Sequence, residues 1–165
     1  VTLGRYLLVF SSPDRRKNVA RTIEAFLSAQ ERLGTEYKLV VVGKPPKNDQ
    51  AYKAVVARHG LERVVIAGAV ENLGGLLQCA DALVFASLYE GFGVPILEAF
   101  SCGVPVITSN CSSMPEVAGE AALYVNPYNS ESIAEAMVDS ALLRSKEFSW
   151  TKTARETLQV YQKLL

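Results

Sequence analysis

Short runs of apolar, largely β-branched residues alternate with helical patterns along most of the chain. Six such runs occupy residues 5–11, 37–42, 64–67, 82–85, 104–108 and 122–125. Stretches between them carry apolar residues at helical spacing, as in Val19, Ile23 and Phe26. Strands that are apolar throughout and separated by helices favour a parallel sheet covered on both faces. We therefore expect an α/β fold with three layers, a Rossmann-like doubly wound parallel sheet of about six strands.

The size and charge of the chain limit the classes of protein to which it can belong. Its 165 residues suffice for one domain with a real core, and no linker or repeat divides them, so we assign residues 1–165 to a single domain. Lys plus Arg and Asp plus Glu balance at 17 each, which gives no sign of nucleic acid binding. No apolar run approaches the roughly 20 residues that span a bilayer. No signal-peptide pattern precedes the first strand, and we expect a cytoplasmic location.

Several common cofactor sites have no counterpart in the sequence. No Gly-x-Gly-x-x-Gly follows the first strand and no Walker lysine motif occurs, which disfavours NAD binding and P-loop ATPases. The three cysteines, at positions 79, 102 and 111, form no CxxC pair, and a single histidine, His59, leaves little room for His-based metal or triad chemistry. We expect neither a bound metal ion nor another cofactor.

The segment after the fourth strand, residues 90–98, is the richest in chemical signals; it reads EGFGVPILE. Gly91 and Gly93 allow the backbone to approach a ligand closely. Pro95 is well placed at the start of a helix, where free N–H groups and the helix dipole suit a phosphate. Glu98 would then lie about one turn into the helix, where its two oxygens could accept hydrogen bonds from a ribose diol. Ordinary turn glycines, a solvated Glu90 and a Glu98 that merely complements the helix dipole are the structural alternatives.

A basic loop follows the first strand and reaches the same edge of the sheet. It contains Arg15, Arg16 and Lys17, followed by Asn18. Lysine and arginine both suit a diphosphate, the first as a point charge and the second as a planar fork. The alternative is a solvated basic turn capped by Asn18. Three adjacent cations on an otherwise neutral surface favour the phosphate-binding role for this loop.

The two glutamates Glu90 and Glu98, with seven residues between them and glycines after the first, resemble the E-x7-E motif of retaining glycosyltransferases of the GT-B type. The similarity is greatest to the glycogen-synthase and mannosyltransferase-like family, the glycosyl transferases group 1. It extends over nearly the whole chain, and its densest part runs through residues 80–87, 90–93, 98–99, 102–107 and 115–117.

The resemblance implies roles for individual residues. It implies that Glu90 contacts the transferred sugar, that Glu98 holds the ribose and that Lys17 binds the diphosphate. Glu90, Lys17 and Arg16 are therefore the predicted catalytic residues. Many relatives carry an arginine five residues before the lysine, where this chain has Ser12, and others have an arginine immediately before the lysine. The resemblance therefore implies that Arg16, ahead of Arg15, supplies the second positive charge. The region after the third strand lies against the nucleobase in that family. The further predicted nucleotide-sugar contacts are Gly91, Phe92, Gly93, Val94, Ile96, Leu97, Gly43, Val70 and Asn72.

The resemblance also implies a reaction and its partners. Complete enzymes of this family have two such domains, and this chain resembles the C-terminal, donor-binding half, which implies a missing N-terminal domain that binds the acceptor. We expect a hexosyltransferase that uses a nucleoside-diphosphate sugar, with a lean towards GDP-mannose, and an acceptor that is a glycan or a lipid-linked sugar. A parent enzyme peripheral on the cytoplasmic membrane face is compatible with this. A stand-alone regulatory or assembly module that binds nucleotide sugars, and a UDP-sugar epimerase of the same fold, are the alternatives.

Overall fold

The computed structural model describes residues 4–46, 49–59 and 62–147, together with residue 162. Six strands form one sheet in which all neighbouring strands run parallel, in the order β3-β2-β1-β4-β5-β6. The strands are β1 (Tyr6–Ser11), β2 (Lys38–Gly43), β3 (Val64–Gly68), β4 (Ala82–Phe85), β5 (Val106–Ser109) and β6 (Ala122–Val125). The predicted doubly wound parallel sheet is confirmed.

Seven helices connect or follow the strands within the described residues. They are α1 (Val19–Ser28), α2 (Gln30–Leu33), α3 (Gln50–His59), α4 (Leu73–Gln78), α5 (Val94–Ser101), α6 (Met114–Ala118) and α7 (Ser130–Glu147). A 3₁₀ turn, Arg15–Lys17, precedes α1. The sequence pattern also predicts a final helix over about residues 150–164, and that range lies outside the described residues apart from residue 162. No helix of the described part of the chain is long and apolar enough to cross a membrane.

Side chains on each strand alternate between two apolar cores, one on each face of the sheet. In β1, Leu7 and Val9 belong to the core that also contains Phe26 of α1, whereas Tyr6 and Leu8 belong to the core on the other face. Helices α1 and α7 cover the first face, and α4, α5 and α6 cover the second. The inner strands β1, β2, β4 and β5 are largely apolar because both of their faces are buried, whereas the edge strands β3 and β6 are partly exposed.

The order of the strands reverses direction at β1. Strands β2 and β3 extend the sheet on one side of β1, and β4, β5 and β6 extend it on the other. The connections after β1 and β4 therefore leave the sheet in opposite directions and open a crevice at the carboxyl ends of these two strands. The basic loop with residues 15–18 and the first part of the segment 90–98, both singled out in the sequence analysis, lie at this switch point.

Candidate active site at the switch between β1 and β4

Lys17 and Glu90 meet across the crevice although they lie on different loops. The Nζ atom of Lys17 is 2.7 Å from Oε1 of Glu90, and the two side chains are only 20% and 13% exposed. The same Nζ lies 4.7 Å from the centroid of the Phe85 ring, at the end of β4. The half-buried ammonium group is thus fixed at the carboxyl end of β4, where an anionic ligand could reach it.

The side chains of the two arginines that precede Lys17 lie in different surroundings. The Arg16 guanidinium lies 6.0 Å from the centroid of the Tyr89 ring, and its Nε donates to Oδ2 of Asp14 at 2.6 Å. Arg15 lies 3.8 Å from Asp49 on the α3 side. The backbone amide of Arg16, and then its side chain, hold the pKa of Asp14 below its usual value. Arg16 therefore lies against the loop after β4, which favours it over Arg15 as the second cation.

The start of α5 leaves a run of free backbone donors beside Lys17. Gly93 forms the N-terminal boundary of the helix with φ of 101°, and no side chain caps it. The amide of Ile96 donates to the carbonyl of Gly93 at 3.0 Å, and Pro95 has no N–H. Within the described residues, four consecutive amides have no protein acceptor, those of Gly91, Phe92, Gly93 and Val94. Such a run of donors at a helix start binds anions well.

Side chains of the same segment divide between core and surface. Phe92, Val94 and Leu97 are 55%, 53% and 44% exposed, so all three are accessible to a ligand. Ile96 is fully buried in the core beside α5, and its amide is already bonded. The structure accordingly gives Ile96 a packing role, and its contact with a nucleotide sugar stays a prediction.

The Glu98 carboxylate is exposed and unengaged. It lies on the second turn of α5, and no described residue forms an ion pair or hydrogen bond with its side chain. Its backbone carbonyl accepts a bond from the Ser101 hydroxyl at 2.7 Å. The Glu98 carboxylate is therefore available to accept hydrogen bonds from a ligand, as predicted for a ribose diol.

The predicted nucleotide contacts Gly43, Val70 and Asn72 lie at the expected edge of the sheet and also have roles in the fold. Gly43 ends β2 with φ of 108°. Asn72 caps α4 through Oδ1, which accepts from the amide of Gly75 at 2.8 Å. Val70 packs half-buried against the core on the α4 side. Their contacts with a nucleotide stay predictions, and the Nδ2 group of Asn72 has no hydrogen-bond partner among the described residues.

Asn18 has a larger role than the cap considered in the sequence analysis. It is 7% exposed and adopts a left-handed φ of 54°. Its Nδ2 donates to the carbonyls of Ala86 at 2.9 Å and of Pro127 at 2.7 Å, which joins the loops after β1, β4 and β6. Asparagine is one of the few residues that readily adopt this conformation, but the distant carbonyls could not be read from the sequence.

The chemistry that this arrangement supports is anion binding next to a free carboxylate. Lys17 and the four amides offer positive charge and N–H donors in one crevice, and Glu98 offers acceptors one turn away. Among the described residues, no group of three or more His, Cys, Asp or Glu side chains could hold a metal ion.

Comparison with known proteins decides the family. The model of the glycosyl transferases group 1 matches residues 4–141. The chain belongs to this family. Among the relatives of this glycosyl transferases group 1 member is the O-antigen chain mannosyltransferase B of Escherichia coli. The two sequences are 32% identical over an alignment of 175 residues, which covers 96% of the chain and 46% of that protein. The family resemblance carried by the motif around Glu90 and Glu98 is thereby confirmed.

Two further similarities support this family assignment. The GDP-mannose:cellobiosyl-diphosphopolyprenol alpha-mannosyltransferase of Xanthomonas oryzae is 28% identical over 159 residues, covering 93% of the chain and 42% of that protein. The crystal structure of WaaG, a glycosyltransferase involved in lipopolysaccharide biosynthesis, superposes with a TM-score of 0.68 at 27% identity and covers 86% of the chain and 39% of that structure. The chain thus spans less than half the length of these proteins.

Proposed function

We propose that the chain binds a nucleoside-diphosphate sugar as the donor half of a retaining hexosyltransferase. One observation supports this most strongly. The ammonium group of Lys17 is held 2.7 Å from Glu90, beside the free amides of residues 91–94, at the switch point of a parallel sheet. Lys17 and the amides suit the two phosphates, and α5 begins at the same place with the positive end of its dipole.

In this proposal each polar group of the crevice has one task. Glu98 accepts hydrogen bonds from the ribose hydroxyls, and Glu90 contacts hydroxyls of the transferred sugar. As the bond between the sugar and the diphosphate breaks, negative charge accumulates on the leaving diphosphate. Lys17, Arg16 and the free amides stabilise that charge electrostatically, without a metal ion.

The reaction requires a second domain in this proposal. The chain spans less than half of its relatives, and we infer that an N-terminal domain supplies the acceptor site. The isolated chain then binds the donor without completing transfer. The acceptor is a glycan or lipid-linked sugar, by analogy with one relative named for O-antigen chains and another named for a cellobiosyl-diphosphopolyprenol acceptor. Both relatives are named mannosyltransferases and the name of the second includes GDP-mannose, which supports GDP-mannose as the proposed donor of this chain.

Calorimetric titration tests this function directly. GDP, UDP, ADP, GDP-mannose, UDP-glucose and NAD would each be titrated into the chain in the presence of EDTA. We expect one nucleoside diphosphate and its sugars to bind, with GDP and GDP-mannose as the pair. Binding of NAD alone, or binding that requires a divalent metal ion, would contradict the proposal.

A second experiment separates a transferase from the two alternatives. Adding a matching N-terminal domain should give transfer of the hexose to an acceptor, with the anomeric configuration retained. A regulatory module would bind the donor but give no transfer with the added domain. An epimerase would release an altered sugar in the absence of an acceptor.

Glu98→Ala should weaken binding of nucleoside diphosphates about tenfold. A hydrogen bond to a charged group contributes about 1.5 kcal/mol at the lower end of its range, which suits an exposed carboxylate. Calorimetry measures the effect, and a 2′,3′-dideoxy nucleotide should bind the parent chain and the variant equally. Glu120→Ala, which removes an exposed carboxylate at the opposite edge of the sheet, is the matched control. Parental affinity in Glu98→Ala would remove Glu98 from the site.

Gly91→Ala should weaken nucleoside diphosphate binding at least about tenfold with almost no loss of stability. Gly91 has no left-handed φ, and a Cβ added there would meet nothing within 4 Å, so the fold tolerates a methyl group. A phosphate bound to its amide would instead meet that methyl group and lose about one charged hydrogen bond. Thermal denaturation and calorimetry measure both quantities. Unchanged binding would place the phosphates elsewhere.

A further inference from the structure

Side chains at and beyond the end of β5 donate hydrogen bonds, one after another, to backbone carbonyls at and beyond the end of β4. The bonds run from Thr108 to Phe85 (3.1 Å), Ser109 to Ser87 (2.6 Å), Cys111 to Leu88 (3.5 Å), Ser112 to Glu90 (2.8 Å), and Ser113 to both Glu90 (3.0 Å) and Phe92 (2.9 Å). The two segments therefore stay in register beyond the ends of their strands, as far as the free amides beside Lys17.

Ser112 holds both backbone polar groups of Glu90. Its hydroxyl donates to the Glu90 carbonyl at 2.8 Å and accepts from the Glu90 amide at 3.3 Å. Ser112 makes these bonds with a left-handed φ of 58°, which costs a residue other than glycine about 1 kcal/mol. The Glu90 backbone is thus fixed independently of the ion pair that its side chain forms with Lys17.

Ser113 fixes the directions of two amides that it does not touch. Its hydroxyl shares one proton between the carbonyls of Glu90 and Phe92. No peptide bond among the described residues is cis, and in a trans peptide the C=O of one residue and the N–H of the next point in opposite directions. When the carbonyls of Glu90 and Phe92 face Ser113, the amides of Gly91 and Gly93 must therefore face away from it.

This arrangement has an electrostatic consequence for an anion in the crevice. A carbonyl oxygen turned towards a phosphate would repel it, whereas an N–H would bind it. The serine hydroxyls keep two carbonyls on the β5 side, so the opposite side of the loop presents the donors of Gly91 and Gly93. Both of these amides lack a protein acceptor within the described part of the chain.

We propose that Ser112 and Ser113 are positioning residues of the diphosphate site, with Ser113 as the main one. They aim the amides of Gly91 and Gly93 at the phosphates and set the backbone position of Glu90, without contacting the ligand themselves. The proposal rests on the proposed function, because it assigns the ligand of these amides as the diphosphate of a nucleotide sugar.

Ser113→Ala tests the proposal, with Ser113→Thr as the variant that restores the hydroxyl. Calorimetry would compare a nucleoside, its monophosphate and its diphosphate. We expect Ser113→Ala to weaken diphosphate binding about 10- to 30-fold. The reason is that one or more backbone amides would no longer point at the charged diphosphate and would lose their hydrogen bonds to it. Nucleoside binding should not change, and Ser113→Thr should bind within about threefold of the parent chain. This difference between ligands separates positioning from a general loss of structure.

Two additional variants control for stability. Ser28→Ala removes a hydroxyl that donates to the Ala25 carbonyl at 2.8 Å on α1, away from the crevice, and should leave all three affinities unchanged. Ser112→Gly removes the other hydroxyl and relieves the left-handed strain. It should weaken diphosphate binding less than Ser113→Ala does, and it supplies the test if Ser113→Ala fails to fold.

The outcomes distinguish this proposal from the proposed function. If the parent chain binds no nucleoside diphosphate, the proposed function fails and the positioning role fails with it. If the parent chain binds and Ser113→Ala binds equally well, or loses nucleoside and diphosphate affinity in the same proportion, only the positioning role is overturned. Should Ser113→Ala not fold, the same two results for Ser112→Gly decide the matter.

Discussion

Lys17→Met should weaken the binding of nucleoside diphosphates about 10- to 100-fold and leave the binding of the nucleoside unchanged. Hydrogen bonds to charged groups contribute about 1.5–3 kcal/mol, and the low exposure of Lys17 reduces solvent screening. The loss of diphosphate affinity is larger because Glu90, without its partner Lys17, remains in the crevice as an unpaired negative charge that repels the ligand. Calorimetric titration with a nucleoside, its monophosphate and its diphosphate measures the effect.

A double variant separates the binding effect from a loss of stability. Removing one partner of a half-buried ion pair destabilises the fold, so Lys17→Met should also lower the melting temperature. Lys17→Met combined with Glu90→Gln should recover most of that stability without recovering diphosphate affinity. Lys53→Met, which removes an exposed lysine on α3, is the matched control and should change neither quantity. Parental affinity in Lys17→Met would exclude Lys17 from the site.

Gly43→Ala should cost about 3 kcal/mol of folding free energy or more, and so lower the melting temperature by about 6–12 °C or more. A Cβ at this position would lie 2.1 Å from the backbone carbonyl oxygen of Ser11, and φ is 108°. Both contacting groups belong to the paired ends of β1 and β2, so neither can move without breaking the register of the sheet. Thermal denaturation of the variant and the parent chain measures the loss.

Gly91→Ala provides the matched comparison for Gly43→Ala. It adds the same methyl group where no atom lies within 4 Å, and its melting temperature should stay close to that of the parent chain. If Gly43→Ala were as stable as the parent chain and lost only nucleotide binding, the clash expected between a Cβ at residue 43 and the Ser11 carbonyl oxygen would not occur. Gly43 would then be needed for the ligand, as first expected from the sequence.

Sequence patterns predicted the sheet well because burial on both faces leaves a strong apolar signal in the inner strands. They missed α2 and α6, since helices of four and five residues carry too few turns for a periodic pattern. The fifth strand was expected to begin at Val104 but begins at Val106. Pro105 lacks an N–H, and the amide of Val104 donates to the carbonyl of Ala99 in α5, so neither residue extends the strand in the way expected.

Parts of the candidate site could be predicted from local sequence patterns, whereas other parts depend on residues that are distant in the sequence. That the loops carrying Lys17 and Glu90 lie close together could be predicted, because both follow strands whose carboxyl ends meet at the switch point. The roles of Asn18, Ser112 and Ser113 could not, because these side chains act on backbone carbonyls of other loops. Those pairings depend on the register of the sheet, which fixes how residues 21 to 109 positions apart face each other.

Backbone amide NMR during a titration with GDP, in the presence of EDTA, tests the central claim most directly. The claim is that Lys17 and the free amides after β4 form a diphosphate site. We predict that the largest changes in chemical shift at saturation fall on Gly91, Phe92, Gly93 and Val94, and that GDP causes them while guanosine does not. Changes confined to residues away from the loops after β1 and β4, or equal changes with guanosine and GDP, would contradict the account.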